Sequence, residues 1–205
     1  MPESLRLIRR LELLSKYPKS DRVKALYGEA FSLCVLICIF MLVNIWAEPY
    51  GTTKSATAPG IPYLTRPEKN ALVDYERGTV KEVYEKIEKD LKLGLSLVND
   101  DYYVKPKFHF NKKAAYAFAS RFYLIKGEWD LVVSYSDYVL GVDPKPVLRN
   151  WQKYKKEFNS NHKYLYIRYA SVDEPANLLL TTTESRVARN IPSEKYGVTI
   201  QSAEK

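Results

Sequence analysis

The fold of this chain is decided by residues 111–144, NKKAAYAFASRFYLIKGEWDLVVSYSDYVLGVDP. Asn111 is a residue type that caps helix N-termini, because its side-chain oxygen accepts from the free amides of the first turn. The alanine-rich stretch after it predicts a helix that ends at Gly127, and Trp129 begins a second helix that Pro144 stops. Small and aromatic residues recur on the first helix at helical spacing: Ala115, Ala119, Ser120, Tyr116, Phe118, Phe122 and Tyr123. The stretch therefore predicts two closely packed antiparallel helices.

This helix pair is tetratricopeptide-like. It has an aromatic residue early in its first helix, a small residue and a tyrosine later, and a closing proline. The second helix is predicted to turn five residues inward: Leu131, Val132, Tyr135, Val139 and Leu140. Because one repeat cannot bury its apolar face alone, the pair requires neighbouring helices.

One neighbour is predicted to begin at Thr79. Thr79 and Glu82 have the spacing of a capping box, in which each side chain satisfies a free amide of the other residue. Seven apolar residues then form one stripe at helical spacing: Val80, Val83, Tyr84, Ile87, Leu91, Leu95 and Val98. On the polar side, Glu82–Lys86 and Glu85–Lys89 are favourable pairs four residues apart. A shorter amphipathic helix is predicted around Leu5 to Leu14.

The remaining segments are irregular. Residues 48–78 contain Pro49, Gly51, Pro59, Gly60, Pro62 and Pro67, which predict an extended surface loop. After Pro146 the helical periodicity weakens, and Tyr164–Tyr169 and Asn177–Thr183 have the composition of short strands. We therefore predict a mainly α protein. Residues 1–145 are its helical scaffold, including the loop 48–78, and residues 146–205 begin an irregular domain that is incomplete here.

The apolar run Ala30–Ala47, AFSLCVLICIFMLVNIWA, is compatible with two structures. Its length approaches a membrane span, and basic residues precede it. Ser32 and Asn44 within the run, and the charged segment before it, favour a buried core helix instead. The charged start MPESLRLIRR also lacks the form of a signal peptide.

Cys34 and Cys38 are the two cysteines of the chain, and both lie within this apolar run. We predict that they are buried thiols. A metal site would need further ligands nearby, and neither His109 nor His162 is close in sequence, so no metal site is predicted.

The formal net charge of +8 makes the surface basic. Residues 151–169 interleave lysines with tyrosines, which is a weak signal for nucleic-acid binding. No DNA- or RNA-binding motif accompanies it, so we favour a solvated basic face with tyrosines packed inward and predict no nucleic-acid partner.

Residues with catalytic potential are few. Gly94 and Ser96 begin like a nucleophile elbow, but they lie within a predicted helix and the closing glycine is absent. Asp100 and Asp101 form a carboxylate pair for which a solvated turn is the simpler explanation. No phosphate loop or dinucleotide fingerprint is present. We predict a protein that is not an enzyme and uses no cofactor.

Three aromatic residues have the chemistry to stack on sugar rings if they are exposed: Tyr102, Tyr103 and Trp151. Because the chain has 17 tyrosines, packing in the interior is the commoner role for each of them.

In order, the segments resemble the SusD/RagB family of cell-surface glycan-binding lipoproteins. Gly28-Glu29-Ala30 is similar to the start of the long packed helix of that family, Pro49-Tyr50-Gly51 to its end, and Gly60-Ile61-Pro62 to the loop that follows. TVKEVYEKIEKDLKLGLSLV resembles the next helix, and NKKAAYAFASRFYLIKGEWDLVVSYSDYVL resembles the repeat after it. Residues 177–185, NLLLTTTES, resemble the passage into the larger irregular domain.

The resemblance implies a non-enzymatic protein on the outer membrane that binds oligosaccharides beside a TonB-dependent, SusC-like transporter. Some members use calcium, and the ligand loops lie mostly in the other half of the fold, so no glycan-binding residue is assigned. The family has a lipoprotein signal that this chain lacks. Two alternatives stay open, a cytosolic protein-interaction scaffold of helical repeats and a small membrane-anchored protein that uses residues 30–47 as a span.

Overall fold

The computed structural model describes residues 36–51, 53–63, 74–160 and 171–180, with only the main chain described over residues 157–160. This part of the chain contains five α-helices: α1 (Ile37–Trp46), α2 (Val80–Leu97), α3 (Lys112–Lys126), α4 (Trp129–Leu140) and α5 (Trp151–Ser160). Short 3-10 turns occur at Asp100–Tyr102, Pro106–Phe108 and Lys145–Val147. The mainly α prediction is confirmed. The predicted helix at residues 5–14 and the strand at residues 164–169 lie outside the described residues.

Helices α3 and α4 form the predicted antiparallel pair. The side chain of Asn111 accepts from the amide of Ala114 at 3.0 Å, which caps α3. Gly127 ends α3 at φ 77°, a left-handed conformation that glycine adopts without steric cost. The predicted stop at Pro144 was wrong. Helix α4 ends at Leu140, because Gly141 follows at φ 70° and its amide donates to the carbonyl of Asp137.

Side chains join α3 to α4 along their whole contact. The hydroxyls of Ser120 and Ser136 are 2.7 Å apart, and the rings of Tyr123 and Tyr135 stack with centroids 5.4 Å apart. Ala119 is fully buried, as the predicted close approach requires. On α4, Val139 is buried, while the other four predicted inward residues are half-buried: Leu131, Val132, Tyr135 and Leu140.

Helix α2 begins at the predicted capping box. The hydroxyl of Thr79 accepts from the amide of Glu82 at 3.2 Å, and the Glu82 carboxylate accepts from the amide of Thr79 at 2.9 Å. The seven predicted stripe residues, from Val80 to Val98, are all buried.

The ion pairs on the polar side of α2 differ from the predicted ones. The pairs are Lys81–Glu85, at 3.8 Å, and Glu88–Lys92, at 2.7 Å. The Glu82 carboxylate is already bound to the Thr79 amide, and the Lys86 ammonium lies over the ring of Tyr63. Sequence spacing allows several such pairs on one helix face. Because Glu82 and Lys86 have other partners in the fold, two different pairs form.

Aromatic side chains fill the core between α1, α2 and α3. The ring of Phe122 lies 6.0 Å from Phe40 of α1 and 5.7 Å from Tyr84 of α2, centroid to centroid. Phe118 packs edge-on against Phe40 at 5.4 Å. The hydroxyl of Tyr84 donates to the side chain of Asn44 at 2.9 Å, so the polar atoms at this junction are paired.

Helix α1 buries one face only. Phe40 and Val43 are almost fully buried, whereas Ile45 is 64% and Trp46 72% exposed. The prediction of a buried thiol was wrong for Cys38, which is exposed because it lies off the face that meets α2 and α3. Cys34 lies outside the described residues. Among the helices that the structure describes, none is both long and apolar enough to cross a membrane.

The loop of residues 48–78 is more than an exposed connection, contrary to the prediction. In its described parts, 48–51, 53–63 and 74–78, the side chains of Ser55, Ala58 and Ile61 are buried. The carbonyls of Ser55 and Ala58 accept from the amides of Lys81 and Val80 at the start of α2. The first turn of a helix leaves such amides without partners, so the loop folds inward to satisfy them.

Gly60 lies where this loop comes closest to α2. A Cβ atom there would be 2.9 Å from the carbonyl oxygen of Thr79 and 3.0 Å from that of Gly78. We expect Gly60→Ala to lower the free energy of unfolding by about 1–3 kcal/mol, because main-chain atoms must shift to admit the methyl group. Urea denaturation measures the change. Thr57→Ala, at an exposed position in the same loop, is the control, and an equal effect of both variants would contradict the close approach.

Candidate functional site

The connector, residues 99–110, joins α2 to α3 and carries most of the residues that the sequence analysis weighed for catalysis or sugar stacking. Its first turn forms because the side chain of Asn99 accepts from the amide of Asp101 at 3.1 Å. Its second turn, Pro106–Phe108, begins with a proline whose fixed φ suits the first position of a helical turn. Two local turns therefore bring the chain from the end of α2 to the cap of α3.

The two carboxylates of the connector have different local environments. Asp100 accepts from the amide of Lys112 at 2.8 Å, so its side chain helps to cap α3 beside Asn111. Asp101 is exposed in the same turn. For both residues, a role in the local turn is therefore the favoured explanation.

The three aromatic residues with the chemistry to stack on sugars have different environments. Tyr102 is 40% exposed and Trp151, at the start of α5, is 62% exposed. Tyr103 is buried and its ring stacks on His109 with centroids 4.3 Å apart. Stacking on a sugar is therefore available to Tyr102 and Trp151, while Tyr103 packs inside.

Other exposed rings were missed. Phe108 in the connector is 38% exposed and Trp129 at the start of α4 is 63% exposed. No local signal distinguishes them from packing residues, because exposure of a ring depends on what the rest of the fold brings against it.

Residues 171–180, which we call the strap, lie against the connector. The side chain of Asn111 donates to the carbonyl of Leu178 at 2.6 Å, and the amide of Leu180 donates to the carbonyl of Lys107 at 2.7 Å. Asn177–Leu180, the described part of the second predicted strand, forms no strand. Its main-chain groups bind these partners instead of a neighbouring strand.

A charged cluster at the junction of α2 and α3 is structural. The Lys126 ammonium lies 2.5 Å from Glu88 and 2.5 Å from Glu128. Burial alone would raise the pKa of Glu88, but hydrogen bonds from Lys126 and Lys92 outweigh it and hold that pKa below its ordinary value. Burial and the nearby Glu88 carboxylate raise the pKa of Tyr123, whose hydroxyl donates to Glu88. Each of these groups is therefore held by a partner within the fold.

A second buried contact ties the loop to α2. The hydroxyl of Tyr63 donates to the carboxylate of Asp90. Burial is the main cause that raises the pKa of Tyr63, and the Asp90 carboxylate raises it further. Burial also raises the pKa of Asp90, although the hydrogen bond from Tyr63 acts in the opposite direction. This pair links residues 27 positions apart and fixes the loop on the helix.

The other residues weighed for catalysis, metal binding or nucleic-acid binding have structural explanations. Gly94 and Leu95 are buried within α2, and the hydroxyl of Ser96 donates to the carbonyl of Leu93 at 2.7 Å, so no nucleophile elbow forms. Among the described residues, no three His, Cys, Asp or Glu side chains are grouped so as to hold a metal ion. In the described part of the basic stretch, Tyr154 is buried while Lys153, Lys155 and Lys156 are exposed.

Solved structures share this fold. A SusD superfamily protein from Bacteroides thetaiotaomicron is similar with a TM-score of 0.60 and 24% identity, over 74% of this chain and 32% of that one. A SusD-like carbohydrate-binding protein from Bacteroides vulgatus gives a TM-score of 0.65 and 20% identity, over 86% and 34%. A laminarin-binding SusD-like protein gives 0.53 and 20%, over 71% and 29%. The chain thus spans about a third of the length of these proteins.

The sequence profile of one family matches most of the helical part. Residues 6–124 match the SusD-like family described as starch-binding and associating with the outer membrane. None of the curated proteins is similar enough to match. The resemblance deduced from the segments is therefore confirmed, and this chain belongs to the SusD-like family.

Proposed function

We propose that this chain is the helical scaffold of a non-enzymatic glycan-binding protein that acts at the outer membrane beside a TonB-dependent, SusC-like transporter. The match of residues 6–124 to the SusD-like family carries the proposal. The laminarin-binding protein of the same fold supports an oligosaccharide as the ligand. The particular glycan is left open.

The side chains support binding rather than catalysis. Asp100 caps α3, and the Glu88 carboxylate is bound by Lys126 and Lys92. Catalytic acids and bases must exchange protons with a substrate, whereas these carboxylates are held by partners within the fold. Exposed aromatic rings can stack on sugar faces, and Tyr102 and Trp151 both present such rings.

The proposed partnership is tested by copurification. The protein as its own host makes it, detected with antibodies raised against this chain, is expected to fractionate with the outer membrane and to copurify with a TonB-dependent transporter after detergent extraction. A transporter gene next to the coding sequence would add support. Recovery in the cytosol with other soluble proteins would contradict the proposal and favour the interaction scaffold.

We expect this chain by itself to bind glycans weakly or not at all. Stacking contributes about 0.5–1.5 kcal/mol per aromatic contact, and association costs on the order of 4 kcal/mol or more. Two exposed rings such as Tyr102 and Trp151 do not offset that cost. Titration calorimetry with starch and laminarin oligosaccharides and with a panel of host and microbial glycans should therefore be flat.

Saturable binding tighter than about millimolar would contradict this expectation and would show that the site lies within these residues. In that case Tyr102→Ala and Trp151→Ala identify the rings responsible. Tyr103→Phe is the matched control, because Tyr103 is buried against His109 and presents no ring to a ligand.

A further inference from the structure

Lys107 reaches from the connector to the strap. Its ammonium donates to the carbonyl of Val172 at 2.5 Å and to that of Glu174 at 2.8 Å. Both acceptors are main-chain oxygens of the strap, two residues apart. An ammonium has three donors and no acceptor, so two converging carbonyls suit it as they suit any small cation.

Hydrogen bonds within the strap position these two carbonyls. The amide of Asn177 donates to the carbonyl of Glu174 at 3.1 Å, and its side chain donates to the carbonyl of Ser171 at 2.8 Å. The guanidinium of Arg149 also donates to the side chain of Asn177 at 2.6 Å. Asn177 therefore links three parts of this region, the carbonyls of Ser171 and Glu174 and the side chain of Arg149.

The carboxylate of Glu174 is also engaged. Glu174 and Tyr154 are both buried. Burial is the main cause that raises the pKa of the Tyr154 hydroxyl, and a hydrogen bond to Glu174 raises it further. The side chain of Glu174 thus binds α5 while its carbonyl binds Lys107. One residue of the strap therefore contacts both α5 and the connector.

We propose that the carbonyls of Val172 and Glu174 form a binding site for a small cation, and that the chain fills this site with the ammonium of its own Lys107. The internal cation latches the strap to the connector. Charge-assisted hydrogen bonds are shorter and stronger than neutral ones. Lys107 therefore helps to hold residues 171–180 against the connector, in addition to the hydrogen bonds of Asn111 and Leu180.

Hydrogen–deuterium exchange of the amides in residues 171–180 tests the latch. Lys107→Ala should speed exchange there by roughly tenfold or more, because two hydrogen bonds from a charged group are lost. Exchange in α3 should stay unchanged, which shows that the fold is intact. Lys105→Ala, at an exposed lysine two residues away, should leave the strap as it is.

Two further measurements separate the ammonium from the rest of the side chain. Lys107→Met keeps the aliphatic stem and should speed exchange like Lys107→Ala. Adding n-propylammonium at tens of millimolar to Lys107→Ala should restore slow exchange, whereas tetramethylammonium, which has no N–H donor, should not. Unchanged exchange in both variants, a normal strap in Lys107→Met, or equal rescue by the two ions would overturn the proposal.

Discussion

Phe122→Ala is expected to lower the free energy of unfolding by about 3–5 kcal/mol, the usual cost of removing a fully buried phenylalanine. Its ring is fully buried and contacts three other rings, on Phe40, Tyr84 and Tyr123. These rings belong to α1, α2 and α3. The cavity would therefore open where the three helices meet, and neighbouring side chains cannot close it without moving a helix.

Urea denaturation followed by circular dichroism measures the loss. Native domains are stable by only about 5–15 kcal/mol, so Phe122→Leu, with a smaller cavity, serves if the alanine variant is unfolded. Phe108→Ala is the matched control, because Phe108 is 38% exposed and should cost less than about 1 kcal/mol. A Phe122→Ala variant as stable as Phe108→Ala would mean that the three helices do not pack on this ring.

Lys126→Met is expected to cost about 2–3 kcal/mol at neutral pH. Removing one partner of a buried ion pair leaves the other charge uncompensated, which costs roughly 3–5 kcal/mol when burial is complete. Glu88 is 18% exposed and keeps its contact with Lys92, so we expect a smaller loss. The Lys126 ammonium also lies over the rings of Phe122 and Tyr123. Methionine keeps the packing against these rings but carries no positive charge.

The loss should shrink in acid. The pKa of Glu88 is lowered in the folded protein from an ordinary value of 4.5, so its pairing stabilises the fold above that pH. The stabilisation disappears as the pH falls through the lowered pKa. Wild type and Lys126→Met should therefore converge once the pH is below the lowered pKa of Glu88.

Lys92→Met tests the same carboxylate from its exposed side. Lys92 is 59% exposed, and an exposed pair contributes about 0–1 kcal/mol. Glu88→Gln combined with Lys126→Met should recover part of the loss, because the uncompensated charge is then absent. Equal effects of Lys92→Met and Lys126→Met would contradict the buried role of Lys126.

These two clusters support the proposed scaffold role. The aromatic core holds α1, α2 and α3 together, and Lys126 joins α2 to the end of α3. The connector leaves α2 and enters α3, so its turns are positioned by both. A rigid support of this kind keeps Tyr102 outward and Tyr103 inward, although the two tyrosines are adjacent in the chain.

Local sequence was sufficient to predict where the helices α2, α3 and α4 begin. The cap of α2 is made by Thr79 and Glu82, and that of α3 by Asn111 with Ala114. Such signals act within three or four residues, so they are present before any tertiary contact forms. The apolar stripe of α2 was equally clear, because burial on a helix follows its period. The division of the chain after residue 145 stays a prediction.

Tertiary structure alone decided the features that join distant residues. Tyr63 meets Asp90 across 27 positions, Lys126 meets Glu88 across 38, and Asn111 meets Leu178 across 67. Sequence spacing carries no signal for such pairs, since each depends on how two elements pack. The same reason explains why Cys38 is exposed and the loop around Gly60 is buried. Local capping and helical periodicity determined the helices, and long-range packing determined which side chains they leave for function.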